Sequence, residues 1–158
     1  MRVYPRGSSR PPVPAQVPKH MAEDYTEACE VLPISAKSSA ALARRCLQTI
    51  LHEYGYKTGN LASEIDLLLN EQDPKRAIPS SLHDTVDAIR NFGNFSAHPI
   101  TDATTLQIIP TETGEAEWCL EILEAMFDHY YVRPAIARAK KVALDAKLKT
   151  AGKPASKG

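Results

Sequence analysis

The sequence predicts an all-α fold, a bundle of five to six helices, from three observations. Apolar residues recur at intervals of three and four along separate stretches, the period of a helix with one buried face. Ser, Asn, Gly and Pro stand between those stretches, where helices start and stop. Strand-like patterning is confined to one short run, Thr105 to Ile109. Helices with short connections pack as a bundle, and no internal repeat is visible.

The elements follow in order. Residues 1–18 hold Pro5, Pro11, Pro12, Pro14 and Pro18, which cannot propagate a helix, so this segment reads as an extended Pro-rich arm. A short helix is expected from Ala22 to Leu32, stopped by Pro33. Ser35 is a suitable N-cap for the next helix. Its stripe is Ala43, Cys46, Leu47, Ile50, Leu51 and Tyr54, and Gly55 ends it. Arg44, Arg45 and Gln48 fall off that stripe. Asn60 caps a third helix with Leu61, Ile65, Leu68 and Leu69 inward. Ser81 and Asp84 form an S-x-x-D cap signal for a fourth, with Leu82, Val86 and Ile89 buried. Glu112, Glu115 and Glu117 suit the start of a fifth, where the helix dipole favours acids. Its core face is Cys119, Ile122, Leu123, Met126, Phe127 and Tyr130. Pro134 predicts a break or kink near Arg133, and a basic helix is expected from Ala135 to about Lys149. The expected organisation is the arm, a bundle over 19–134, and the basic helix with a frayed tail over 135–158.

With 158 residues, 43% of them hydrophobic and 24% charged, the chain is large enough for one cored domain. There is no apolar run long enough for a membrane span and no apolar signal core after Met1, so a cytoplasmic protein is expected. Cys29, Cys46 and Cys119 are far apart with no C-x-x-C pair, which fits buried reduced thiols rather than a zinc site. His20, His52, His83 and His129 are scattered, with no H-x-x-x-H pair, and a Gly-rich phosphate loop is absent. No metal or cofactor is expected.

The net charge is zero but unevenly spread. Residues 1–20 carry +4, residues 134–158 carry +6, and the stretch between carries −10. Basic ends on an acidic body suit contact with a polyanion, or oligomers that pair ends with bodies; solvated tails are the plain alternative.

Chemistry concentrates in Arg90-Asn91-Phe92-Gly93-Asn94-Phe95-Ser96-Ala97-His98-Pro99. If the helix continues through Ala97, Arg90, Asn94 and His98 form one stripe, with Asn91 one turn before Asn94. Pro99 disfavours the helical conformation at His98, which falls at or just past the end. Such a cluster binds phosphate and moves protons near neutral pH. The same residues also close off a helix by bonding its free carbonyls. Phe92, Phe95 and Trp118 stand at helical spacing and read as core before they read as base-stacking residues.

The run resembles the signature of a bacterial family catalogued as domain of unknown function 4145. Tyr4-Pro5, Val17-Pro18, and Tyr25 with Glu27-Ala28 resemble its lead-in. Ala40 through Gln48 resembles its Arg-bearing helix, Gly93-Asn94 and Ala97-His98 its Gly-Asn and Ala-His core, and Tyr130 through Pro134 its final helix. The resemblance spans about Tyr4 to Lys149. Two features differ from common members: no Cys pair stands ahead of Tyr4, and Gln48 replaces a frequent Glu.

That family is similar in turn to the HEPN superfamily of helical bundles, frequent in antiviral and toxin–antitoxin systems. The similarity implies an up-and-down HEPN-like bundle. Many members are metal-independent ribonucleases with four to six residues between an Arg and the following His; here seven residues separate Arg90 from His98. Carried over, the resemblance makes His98 a general base on a ribose 2′-hydroxyl and Arg90 the stabiliser of the phosphorane-like transition state, with Asn91 or Asn94 orienting the phosphate. It also implies a homodimer with two-fold symmetry across the motif. The candidate catalytic residues are therefore Arg90, Asn94 and His98; the candidate nucleic-acid contacts are Arg44, Arg45, Asn91, Lys140 and Lys141. The long Arg-to-His spacing and the balanced charge weigh toward a non-catalytic interaction or RNA-binding module, with a protein partner from a bacterial defence or restriction system as a further candidate. The alternative is a metal-independent endoribonuclease.

Overall fold

The computed structural model describes residues 10–97 and 113–154, with side chains described for 10–89 and 114–154. The described residues are helical with no strand: α1 (Lys19–Val31), α2 (Ala36–Glu53), α3 (Leu61–Leu69), α4 (Ser80–Ala97), α5 (Thr113–Phe127), a π-turn (Asp128–Val132) and α6 (Arg133–Thr150). The expected strand at Thr105 to Ile109 lies outside the described residues.

Helix α2 is the centre, packed against α1, α3, α4 and α5. Its apolar stripe explains this: Ala43, Cys46, Leu47, Ile50 and Leu51 are all buried. Small residues let α1 approach closely, and the Ser39 hydroxyl donates to the Ala28 carbonyl at 2.7 Å. Helix α5 closes the other side with Cys119, Leu120, Ile122, Leu123, Met126 and Phe127. The Tyr25 ring meets Phe127 edge-on at 5.5 Å.

The helix ends follow the capping residues. The Ser35 side chain accepts from the Ser38 N–H at 3.1 Å, and Asn60 accepts from the Ser63 N–H at 2.9 Å. Gly55 ends α2 at a φ of 92°, a left-handed conformation that favours glycine. The S-x-x-D reading at Ser81 is corrected: α4 starts at Ser80, with the Pro79 carbonyl accepting from Leu82 and His83, so Ser81 lies inside the first turn. Asp84 pairs instead with its neighbour His83, 3.8 Å away.

The Pro-rich segment carries no helix over residues 10–18, as expected, yet it is docked rather than free. Val17 is buried and Val13 packs on the core. The Arg10 guanidinium donates to Glu124 at 2.9 Å and to the Glu117 carbonyl at 3.0 Å, which ties the segment to α5. The Tyr25 hydroxyl donates to the same Glu124 oxygen.

The expected break near Pro134 takes the form of the π-turn, with the Arg133 N–H bonded to the Asp128 carbonyl five residues back. Pro134 has no N–H to offer the Tyr130 carbonyl, four residues back. The Tyr54 hydroxyl donates to that carbonyl at 3.3 Å, so the end of α2 is stitched to the turn. Beyond it, α6 packs only against the π-turn among the described elements.

Candidate functional site

Helix α4 runs unbroken to Ala97. The backbone therefore sets Arg90, Asn91 and Asn94 on one continuous helix, with Arg90 and Asn94 one turn apart. Their side chains, and His98 altogether, lie outside the described residues.

The basic candidates separate onto elements that do not pack on each other. Arg45 on α2 is exposed and bonded to Asp24 of α1 at 2.9 Å, an internal use of its charge. Arg44 is half-buried, and its Nε has no hydrogen-bond partner among the described residues. Burial lowers its pKa below the usual guanidinium range, against the opposing effect of nearby Cys119. Helix α6 carries Lys140 and Lys141; Lys141 meets Asp145 at 3.0 Å, and Lys140 is exposed. Arg138, Lys147 and Lys149 add to that basic surface, and exposed Ile136, Val142 and Leu144 interrupt it.

The three cysteines are buried and form no disulfide. Burial pushes the Cys46 thiol up to about 12 and Cys119 up to about 11, so both stay protonated and unreactive near neutral pH. Among the described residues, no group of His, Cys, Asp or Glu could hold a metal ion.

Sequence reasoning missed two features. The first is Glu64, which is fully buried. It accepts from Gln48 at 2.8 Å and from the N–H groups of Thr58 and Gly59 at 3.0 and 3.1 Å, and His52 Nε2 lies 2.8 Å away. Burial pushes this carboxyl up, but the Thr58, His52, Gln48 and Gly59 bonds together outweigh it and hold the pKa below the ordinary value. The available signal was positional: Glu64 falls three residues after Leu61 and four before Leu68, inside an apolar stripe.

The second is a cavity of about 400 Å³ between the end of α2, the loop before α4 and the start of α6. Tyr54, Tyr56 and Tyr130 wall it, together with Lys75, Arg76, His129, Pro134 and Arg138. Tyr54 and Tyr130 stack with centroids 4.2 Å apart. Burial lowers the His129 pKa, helped by Arg133, which keeps the imidazole neutral near pH 7. The Tyr130 hydroxyl is shielded from solvent and has no hydrogen-bond partner among the described residues. An unpaired buried hydroxyl costs about 1–3 kcal/mol. Tyr130→Phe removes it while keeping the stacked ring, so the variant is expected to be about 1 kcal/mol more stable by urea denaturation. A loss of stability would show that the hydroxyl has a partner.

Together these features define a helical bundle that carries a basic helix attached, among the described elements, only through a π-turn. The chain belongs to the family described as domain of unknown function (DUF4145), whose model matches residues 26–150. No curated protein and no solved structure matches it. Among the described residues, no helix is long and apolar enough to cross a membrane.

Proposed function

We propose that this chain is a helical interaction module that binds RNA through α6. One observation carries the reading: α6 presents Lys140, Lys147 and Lys149, with Lys153 just past its end, while packing only against the π-turn among the described elements, so these charges are not spent on the acidic body. Phosphate contacts by exposed cations supply affinity without sequence readout. The HEPN-like, dimeric and defence-associated parts of the reading rest on the HEPN resemblance. The test is binding of a labelled single-stranded RNA to the full chain and to a variant with Lys140, Lys147, Lys149 and Lys153 all changed to Gln. The full chain binds and the variant binds far more weakly; equal binding by both overturns the reading.

A second reading is a metal-independent endoribonuclease. The observation that favours it is the unbroken α4, which keeps Arg90 and Asn94 one turn apart ahead of His98. In that reading His98 is the general base and Arg90 stabilises the transition state. The module reading expects RNA to stay intact with purified protein in EDTA. Cleavage there that His98→Ala abolishes would instead establish the second reading.

A further inference from the structure

The cavity between Tyr54, Tyr56 and Tyr130 is separate from the RNA-binding surface proposed for α6, apart from Arg138 at their border. Its lining holds three cations and no carboxylate, in a chain whose residues 21–133 carry −10. The three cations are not equivalent. Arg76 is committed to the wall: its guanidinium donates to the Tyr54 carbonyl, lies 3.5 Å from Glu71 and sits 5.0 Å from the Tyr56 ring centroid. Tyr56 is fixed in turn by donating to Glu71 at 2.5 Å. Lys75 and Arg138 line the same cavity, are exposed, and make no ion pair among the described residues.

Two uncommitted cations beside a volume walled by aromatic rings specify a ligand with a doubly charged head and an apolar body. A monovalent anion leaves one cation uncompensated, and a bare inorganic anion fills little of about 400 Å³. A phosphomonoester matches both requirements, since its second pKa of about 6 makes it close to a dianion at neutral pH. The volume falls in the range of small-molecule sites, about 300–1,000 Å³. The π-turn contributes as well: both His129 and Tyr130, adjacent residues of that turn, line the cavity, and π-turns are frequent at functional sites. We propose that this cavity binds a small phosphomonoester, with Lys75 and Arg138 on the phosphate and the tyrosine rings around its organic body.

Isothermal titration calorimetry of the full chain tests this with phenyl phosphate as probe, and with inorganic phosphate and phenol as its two halves. Phenyl phosphate is expected to bind at a single saturable site, inorganic phosphate more weakly, and phenol not measurably. Lys75→Gln and Arg138→Gln each remove one charge-assisted contact and are expected to weaken binding about tenfold. Both positions are exposed, and an unchanged melting temperature verifies that each variant is folded. The variant with Lys140, Lys147, Lys149 and Lys153 changed to Gln is expected to bind phenyl phosphate like the parent, so this site stands or falls apart from the RNA reading. Absence of saturable binding, indifference to both single substitutions, or loss of binding in the α6 variant would each overturn the proposal.

Discussion

Replacing Glu64 with Leu is expected to lower stability by about 3–5 kcal/mol, the range for breaking a buried, fully bonded charge. The carboxylate is the common acceptor for Gln48, His52 and the N–H groups of Thr58 and Gly59. Removing it orphans two backbone donors in the loop between α2 and α3, and Gly59 there holds a φ of 109°, so the loop has little freedom to find other partners. Gln48→Glu is expected to be harmful for the opposite reason, since it sets a second carboxylate where a donor now stands 2.8 Å from Glu64. The pH dependence follows from the lowered pKa. A depressed carboxylate contributes stability that is fully present above its unfolded pKa of about 4.3 and is lost as pH falls through the lower folded value. Acid titration of the parent should therefore show a loss of stability below about pH 4.3 that is larger than in the Leu variant, where the lowered Glu71 carboxyl still contributes. Urea midpoints across pH measure both effects, and a Glu64→Leu protein as stable as the parent would remove Glu64 from the account.

Neutralising α6 is expected to have the largest effect on binding. Four lost phosphate contacts on a single strand change the slope of log K against log salt by about 3. At 0.1 M salt that corresponds to a loss of affinity on the order of 10³-fold. Folding should be untouched. Lys140, Lys147, Lys149 and Lys153 are exposed, and Gln matches Lys in helix propensity. Circular dichroism melts that coincide with the parent, alongside lost RNA binding, separate function from fold. A variant that unfolds early would instead give α6 a structural role that its contacts do not suggest.

Much of the bundle was legible because period and capping are local. The stripe of α2, the Ser35 and Asn60 caps and the buried face of α5 depend only on neighbours in the chain, and the structure has them in place. What escaped depends on residues distant in sequence. Arg10 reaches Glu124 across 114 positions, which turns an apparent arm into a docked strap. Glu64 reads as an ordinary helix acid until Gln48 and His52 arrive from α2. Pro134 announced a break, but its form, a π-turn stitched to Tyr54, required the tertiary partner. The cavity is gathered from Tyr54, Lys75, Tyr130 and Arg138, residues of three separate segments that no motif unites. Of the candidate site, the helical continuity that sets Arg90 one turn from Asn94 was legible; the separation of Arg44 and Arg45 from Lys140 and Lys141 was not, because it follows from which helices pack together.

The salt dependence of RNA binding tests the central claim most directly. Affinity of the full chain for a labelled single-stranded RNA, measured from 50 to 200 mM salt, should fall on the order of 50-fold, a log–log slope of about −3. The α6 variant should bind weakly with a slope near zero. A flat dependence for the parent, or the same slope in both proteins, would contradict an interface built on α6.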